Sequence, residues 1–140
     1  EVGKVTRAQY ALSDYIGHII STTNLRFDGM KVALDCANGS ACVTAKELFT
    51  TLGAECHIVS AEPDGVNIND RCGSTHLEQL QAYTVEQGCD IGLAFDGDAD
   101  RLLVIDEKFA RIAGEIIAVK QPATNEHREK PMMHHSGPDL

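Results

Sequence analysis

Long apolar runs are missing from this sequence: none approaches the roughly 20 residues needed to cross a membrane. Positive charge is also scarce. Twelve Lys and Arg stand against 21 Asp and Glu, a net charge of -9. Such a surface repels nucleic acid and anionic lipid, so neither is an expected partner. Any phosphate ligand needs local help from a metal, an arginine or backbone amides. Paired thiols are absent too. The five cysteines are Cys36, Cys42, Cys56, Cys72 and Cys89, an odd number with no C-x-x-C spacing. Most sit in apolar runs and read as buried, reduced thiols. There is no signal-peptide pattern and no initiator Met before Glu1. The expectation is a cytoplasmic chain that is a fragment or a processed product. No internal repeat is visible.

What is present is globular: 43% hydrophobic and 24% charged in 140 residues, enough for one domain with its own core. Residues 6–22 read as an amphipathic helix, with Ala8, Ala11, Leu12, Tyr15, Ile16, Ile19 and Ile20 at helical spacing. Thr6 and Gln9 can form a capping box at its start. A linker with an Asp28-Gly29 turn leads to an apolar strand at 31–36. After the Asn38-Gly39-Ser40 turn comes a helix at 41–52, its stripe at Ala41, Ala45, Leu48, Phe49 and Leu52, stopped by Gly53. Residues 55–60 form a second strand. The polar loop 63–74 is long for a compact domain, and such loops often carry function. Thr75 and Glu78 can cap the next helix, 76–87, which stops at Gly88. Residues 90–95 and 101–106 read as the third and fourth strands. The turn between them is too short for a parallel crossover, so the fourth strand is antiparallel to the third.

A last helix begins near Gly114. From residue 121 periodicity is lost and three prolines appear, so 121–140 read as a disordered or foreign tail. His134-His135 lies there, without a ligand framework. The expected fold class is α/β: a three-layer α/β/α sandwich on a four-stranded mixed sheet, with ligands gathering beyond the carboxyl ends of the strands.

That edge carries Asp96-Gly97-Asp98-Ala99-Asp100-Arg101. Three carboxylates at alternate positions on a tight turn repel one another unless a cation sits among them. Small residues at 97 and 99 let the oxygens converge. An all-oxygen set selects hard cations, Mg²⁺ first, with Mn²⁺ or Ca²⁺ as substitutes. Arg101 adds a fixed charge with bidentate geometry, suited to phosphate. Three other readings compete. An EF-hand loop would use the same aspartates with Glu107 as its last ligand, but Arg101 replaces the required Gly and strands flank the loop. A metal-free turn of solvated aspartates is the second. An aspartyl nucleophile is the third, although such sites want Thr or Ser at position 100. Cys72 and His76 could be half a zinc site, but no second pair follows.

The run FDGDADR, between two apolar strands, resembles the metal loop of the α-D-phosphohexomutases. Asp35-Cys36-Ala37-Asn38-Gly39 is similar to that family's strand-to-helix turn. Pro63-Asp64-Gly65-Val66-Asn67-Ile68-Asn69 and Cys72-Gly73-Ser74-Thr75-His76 look like its phosphoglucosamine mutase branch. The resemblance covers roughly residues 10–119, and it implies that residues 1–120 are the family's second, metal-binding domain. It implies Asp96, Asp98 and Asp100 as Mg²⁺ ligands, with a phosphoserine from another domain giving a further oxygen. Arg101 becomes a catalytic residue beside the phosphate. The implied partners are a hexosamine phosphate and its bisphosphate intermediate, bound through absent domains.

The family's Ser-His-Asn, Gly-Glu and Arg-x-Ser-Gly-Thr segments are not found here, and Ala113-Gly114-Glu115 stands where the family usually has an Asp. The expectation is therefore an enzyme fragment, inactive alone. Two alternatives are a stand-alone divalent-metal (calcium) binding module and a truncated product without function.

Overall fold

The computed structural model describes residues 3–106. The expected helix near Gly114, the 121–140 tail, Glu107 and His134-His135 lie outside them. The elements run α1 (Ala11–Ser21), β1 (Lys31–Asp35), α2 (Ala45–Thr51), β2 (Glu55–Val59), α3 (Glu78–Glu86), β3 (Ile91–Phe95) and β4 (Leu102–Asp106).

Four strands form one sheet in the order β2-β1-β3-β4. β1 pairs in parallel with β2 and β3, and β4 is antiparallel to β3, as the short turn requires. The chain winds outward from β1 to β2, then crosses back to β3 on the other side of β1. With crossovers of one hand, that reversal puts the two connecting helices on opposite faces.

The side-chain period of two sorts the core accordingly. Val32, Leu34, Leu93 and Val104 join Ala41 and Ala45 on the α2 face. Ala33, Ala94, Leu103 and Ile105 join Leu80 and Cys89 on the α3 face. Val32, Ala33 and Leu34 are fully buried, as expected of a central parallel strand covered on both sides. Phe27, from the linker, packs edge-on against Phe49 with ring centroids 5.3 Å apart, closing the α2 layer.

The helices depart from the sequence expectation at their starts. α1 begins at Ala11, and its N-cap Tyr10 makes no side-chain cap bond, so the Thr6–Gln9 capping box does not form. Residues 3–15 are exposed throughout, so no tertiary contact repays ordering another turn. Of the α1 stripe only Ile16 is buried; Leu12 and Tyr15 are exposed. The expected helix 41–52 is broken into a 3-10 turn, Ser40–Val43, and α2. Thr44, at φ -116°, makes the break. The Thr75–Glu78 cap is likewise replaced by a 3-10 turn, Gly73–Thr75, and α3 starts from Leu77 with no side-chain cap.

Candidate metal centre

The β3–β4 hairpin ends its ladder at the Phe95–Leu102 pair. Six residues, 96–101, close the turn. Ala99 donates its N–H to the Asp96 carbonyl (3.1 Å) and takes φ +60°. This tight curl turns the three aspartates inward. One carboxylate oxygen from each of Asp96, Asp98 and Asp100 lies within 4.8 Å of the other two. Among the described residues, this is the only group of three His, Cys, Asp or Glu side chains so placed.

The three carboxylates differ in environment. Asp96 is buried, while Asp98 and Asp100 are exposed. Asp96 Oδ1 accepts the Arg101 backbone N–H (3.1 Å), and Oδ2 accepts Arg101 Nε (2.9 Å). Nε also lies 3.6 Å from Asp100 Oδ1. Burial pushes the Asp96 carboxyl up, but the two hydrogen bonds from Arg101, with help from Asp100, hold it below the usual carboxylate value. Asp100 is pushed the other way, first by its hydrogen bond with Asp96 and then by the charge of Asp98. The pair therefore has opposite tendencies a few ångströms apart. Part of the mutual repulsion is relieved by Arg101, whose own pKa is raised by Asp96.

This donor set fits a divalent cation that prefers oxygen. Two oxygens on one Mg²⁺ stand at most about 4.2 Å apart, given bond lengths of about 2.1 Å. The three carboxylate oxygens, within 4.8 Å of one another, stand on that scale. Asp98 and Asp100 are open to solvent, leaving room for water or an outside ligand.

The turn is held from both sides. Ser40 donates its N–H to the Gly97 carbonyl (2.9 Å). Gly39 comes so close that a Cβ there would overlap the same carbonyl. On the other flank, a Cβ on Gly97 would meet Asn69 Nδ2 and Ile68 Cδ1 at 2.7 Å. The long loop 63–74 thus braces the turn. It is itself ordered by Asp64, whose Oδ1 accepts N–H from Val66 and Asn67 (both 2.9 Å). Behind both flanks sits Asp35, fully buried, accepting N–H from Ala37 (2.9 Å) and Gly73 (2.8 Å). Sequence reasoning did not single out Asp35 as a site residue. The available signal was a carboxylate closing an apolar strand, where an unpaired charge has no reason to stand.

The remaining sequence candidates separate. Strands, not helices, flank the aspartate turn, unlike an EF-hand. The Cys72 sulfur accepts from Asn38 Nδ2 (3.8 Å), whereas His76 is exposed and pairs with Thr75 Oγ1 (3.1 Å). They assemble no zinc site. All five cysteines are free; Cys36, Cys72 and Cys89 are buried, and Cys42 and Cys56 are partly covered. Burial pushes the Cys36 thiol up to about 12, which makes it an inert packing group. Among the described residues no helix is long and apolar enough to cross a membrane.

Residues 12–111 match the family model for phosphoglucomutase/phosphomannomutase, alpha/beta/alpha domain II. Phosphoglucosamine mutase of Lachnoclostridium phytofermentans is 53% identical over 116 residues, which are 83% of this chain and 26% of that protein. The Clostridium novyi enzyme of the same name is 51% identical with the same coverage. A crystal structure of a phosphoglucomutase/phosphomannomutase family protein from Burkholderia thailandensis superposes with a TM-score of 0.61 at 28% identity. It covers 72% of this chain and 22% of that one. The chain spans about a quarter of the length of the curated relatives it matches. Sheet order, carboxylate turn and family match agree: this chain belongs to the phosphoglucomutase/phosphomannomutase family and carries its α/β/α domain II.

Proposed function

We propose that this chain is the metal-binding domain of a phosphoglucosamine mutase, comprising residues 1–120, that works in the cytoplasm. The whole enzyme would interconvert glucosamine 6-phosphate and glucosamine 1-phosphate through a bisphosphate. The observation that carries this reading is the convergence of Asp96, Asp98 and Asp100 beside the Arg101 guanidinium. Identity near 50% to proteins named phosphoglucosamine mutase supports the sugar.

In this reading the three aspartates hold Mg²⁺. When bound, the ion neutralises charge that builds on the oxygens of a transferring phosphoryl group. Asp96, buried and pinned by the Arg101 backbone, fixes the ligand geometry. Asp98 and Asp100, both exposed, would supply the other two carboxylates. Arg101 keeps Nε on Asp96, and its exposed end can meet a phosphate through paired N–H groups. The phosphorylated serine and the sugar contacts would come from the rest of a full-length enzyme, so the chain alone is inactive.

A Mn²⁺ titration followed by water proton relaxation tests this. Mn²⁺ binds the chain, Mg²⁺ displaces it, and Asp98→Asn weakens binding at least about ten-fold. Preference for Ca²⁺ over Mg²⁺ at low micromolar levels would sink the phosphoryl-transfer reading in favour of a calcium module. Mutase turnover by the chain alone would sink the domain reading.

A further inference from the structure

Three backbone segments meet at the carboxyl edge of β1 and β3, and one side chain joins them. Asp35 ends β1, pairs with Val59 on one side and Ala94 on the other, and is wholly buried. Among the described residues its carboxylate meets no cation within salt-bridge distance; its two oxygens take one backbone N–H each. Oδ1 holds Ala37, which sits at φ +52° and turns the chain into Asn38, Gly39 and Ser40. Oδ2 holds Gly73, the far end of the long loop, at φ +75°.

Each held segment then touches the aspartate turn. Ser40 N–H bonds the Gly97 carbonyl, and Gly39 lies against it. Gly73 lies so close to Phe95 that a Cβ there would sit 2.6 Å from the Phe95 carbonyl. Asn69 and Ile68 of the same loop press on Gly97, and Asn69 N–H bonds the Ala37 carbonyl (2.9 Å), tying the segments together. Phe95, Asp96 and Gly97 are therefore gripped from two sides by chain that a single carboxylate orients. A buried carboxylate without a cation is costly in a core. Its geometry is explained by the turn it sets.

We propose that Asp35 is a positioning residue for the metal turn: it never touches the metal or the substrate, and it fixes where Asp96 and Gly97 stand. The consequence for metal affinity rests on the metal-site reading given above; the consequence for the turn's order does not.

Asp35→Asn is the discriminating change. It keeps shape and volume but swaps one acceptor for an NH₂ that faces an N–H, so one of the two segments is released. Thr84→Val is the control. It is equally isosteric and buried, and it removes a hydroxyl bond to the Leu80 carbonyl (2.7 Å) under α3, where Thr84 packs against Gly92 within β3 and not against the turn segments. Amide hydrogen exchange on the full chain reads the outcome. In Asp35→Asn, Ser40 and Ala99 lose about ten-fold protection relative to the strand amides, the scale on which one buried N–H left without its acceptor eases local opening. In Thr84→Val they keep it.

A folded Asp35→Asn chain with unchanged Ser40 and Ala99 protection overturns the proposal. Should Asp35→Asn fail to fold, Asp35→Ser avoids setting an NH₂ against an N–H. Its short hydroxyl can accept the Ala37 N–H two residues on but does not reach both Ala37 and Gly73, so the Gly73 segment is released. Loss of Ala99 protection there supports the linkage, and its retention overturns it. Mn²⁺ titration is read separately. Binding about ten-fold weaker in Asp35→Asn than in wild type extends the role to the metal. Equal binding confines the residue to ordering the turn and overturns the metal consequence. If wild type itself binds no Mn²⁺, the metal reading fails, while the exchange result still decides positioning.

Discussion

The two ends of the sheet are built from different residues for the same backbone conformation. At the amino ends of β1, β2 and β3 the chain turns through positive φ at Gly29, Gly53 and Gly88 (80°, 100° and 62°). Glycine takes that conformation with no steric cost. At the carboxyl ends the same region is occupied mostly by residues that carry a Cβ: Ala37, Asn38, Ser60, Asn69, Arg71 and Ala99. Each costs about 1–2 kcal/mol, less for the asparagines. Glycine at that end takes positive φ at Gly65 and Gly73, and it also serves closeness, as where Gly39 meets the Gly97 carbonyl. The amino edge is a set of ordinary connections. The carboxyl edge stores strain and excludes side chains so that three aspartates and an arginine stand on one turn. Strain persists where the surrounding contacts over-determine it, and such places cluster at functional sites.

The largest effect that separates the two edges is steric. Gly39→Ala destabilises the chain by about 3 kcal/mol, because a Cβ meets rigid backbone. Gly88→Ala, with open space around it, costs about 1 kcal/mol for its positive φ alone. Urea midpoints compare them. Equal losses would erase the distinction between closeness and conformation.

A smaller effect is electrostatic and confined to the carboxyl edge. Asp100 has a raised pKa, so Mn²⁺ affinity falls on acidification before an ordinary carboxylate would titrate, and binding in that range releases a proton. The stability signs of the pair are opposite. Asp96 is lowered, so its contribution is complete above the ordinary 3.8 and lost as pH falls through its folded value. Asp100 is raised, so its repulsion is fully felt at neutral pH and relieved as the folded chain takes up a proton. Asp100→Asn removes that upper arm of the stability profile and leaves the lower one. Asp90→Asn, at the amino edge where Asp90 Oδ2 accepts the Lys31 N–H (2.8 Å), leaves Mn²⁺ affinity and its pH dependence unchanged.

The smallest expected effect is a gain. Ala99→Gly relieves φ +60° but frees the unfolded chain, a net stabilisation of about 0.5 kcal/mol. Denaturant unfolding would register it as a higher midpoint, and a loss would show that Ala99 is not strained.

Much of this molecule is written in short-range pattern. The apolar runs placed all four strands to within a residue, and the brevity of the 96–101 turn determined that β4 is antiparallel. The alternating aspartates with Arg101 marked the candidate site, because like charges at that density invite a cation, and the structure brings the three carboxylates together. What local pattern got wrong were helix starts. Thr6 and Thr75 each satisfy a cap rule and Ala41 opens an apolar stripe, yet the helices begin at Ala11, Ala45 and Glu78. A capping motif contributes only about 1 kcal/mol, less than the contacts that place Gly39 on Gly97 or Gly73 on Phe95. Tertiary structure also decided that Asp96 is buried and bonded to Arg101 while its two partners face water. It decided that Asp35, 61 residues before Asp96, holds the chain on both sides of the turn. Sequence determines what repeats along the chain. Contacts between segments far apart in sequence, set by the packing of backbone on backbone, determine which carboxylates converge and what keeps them there.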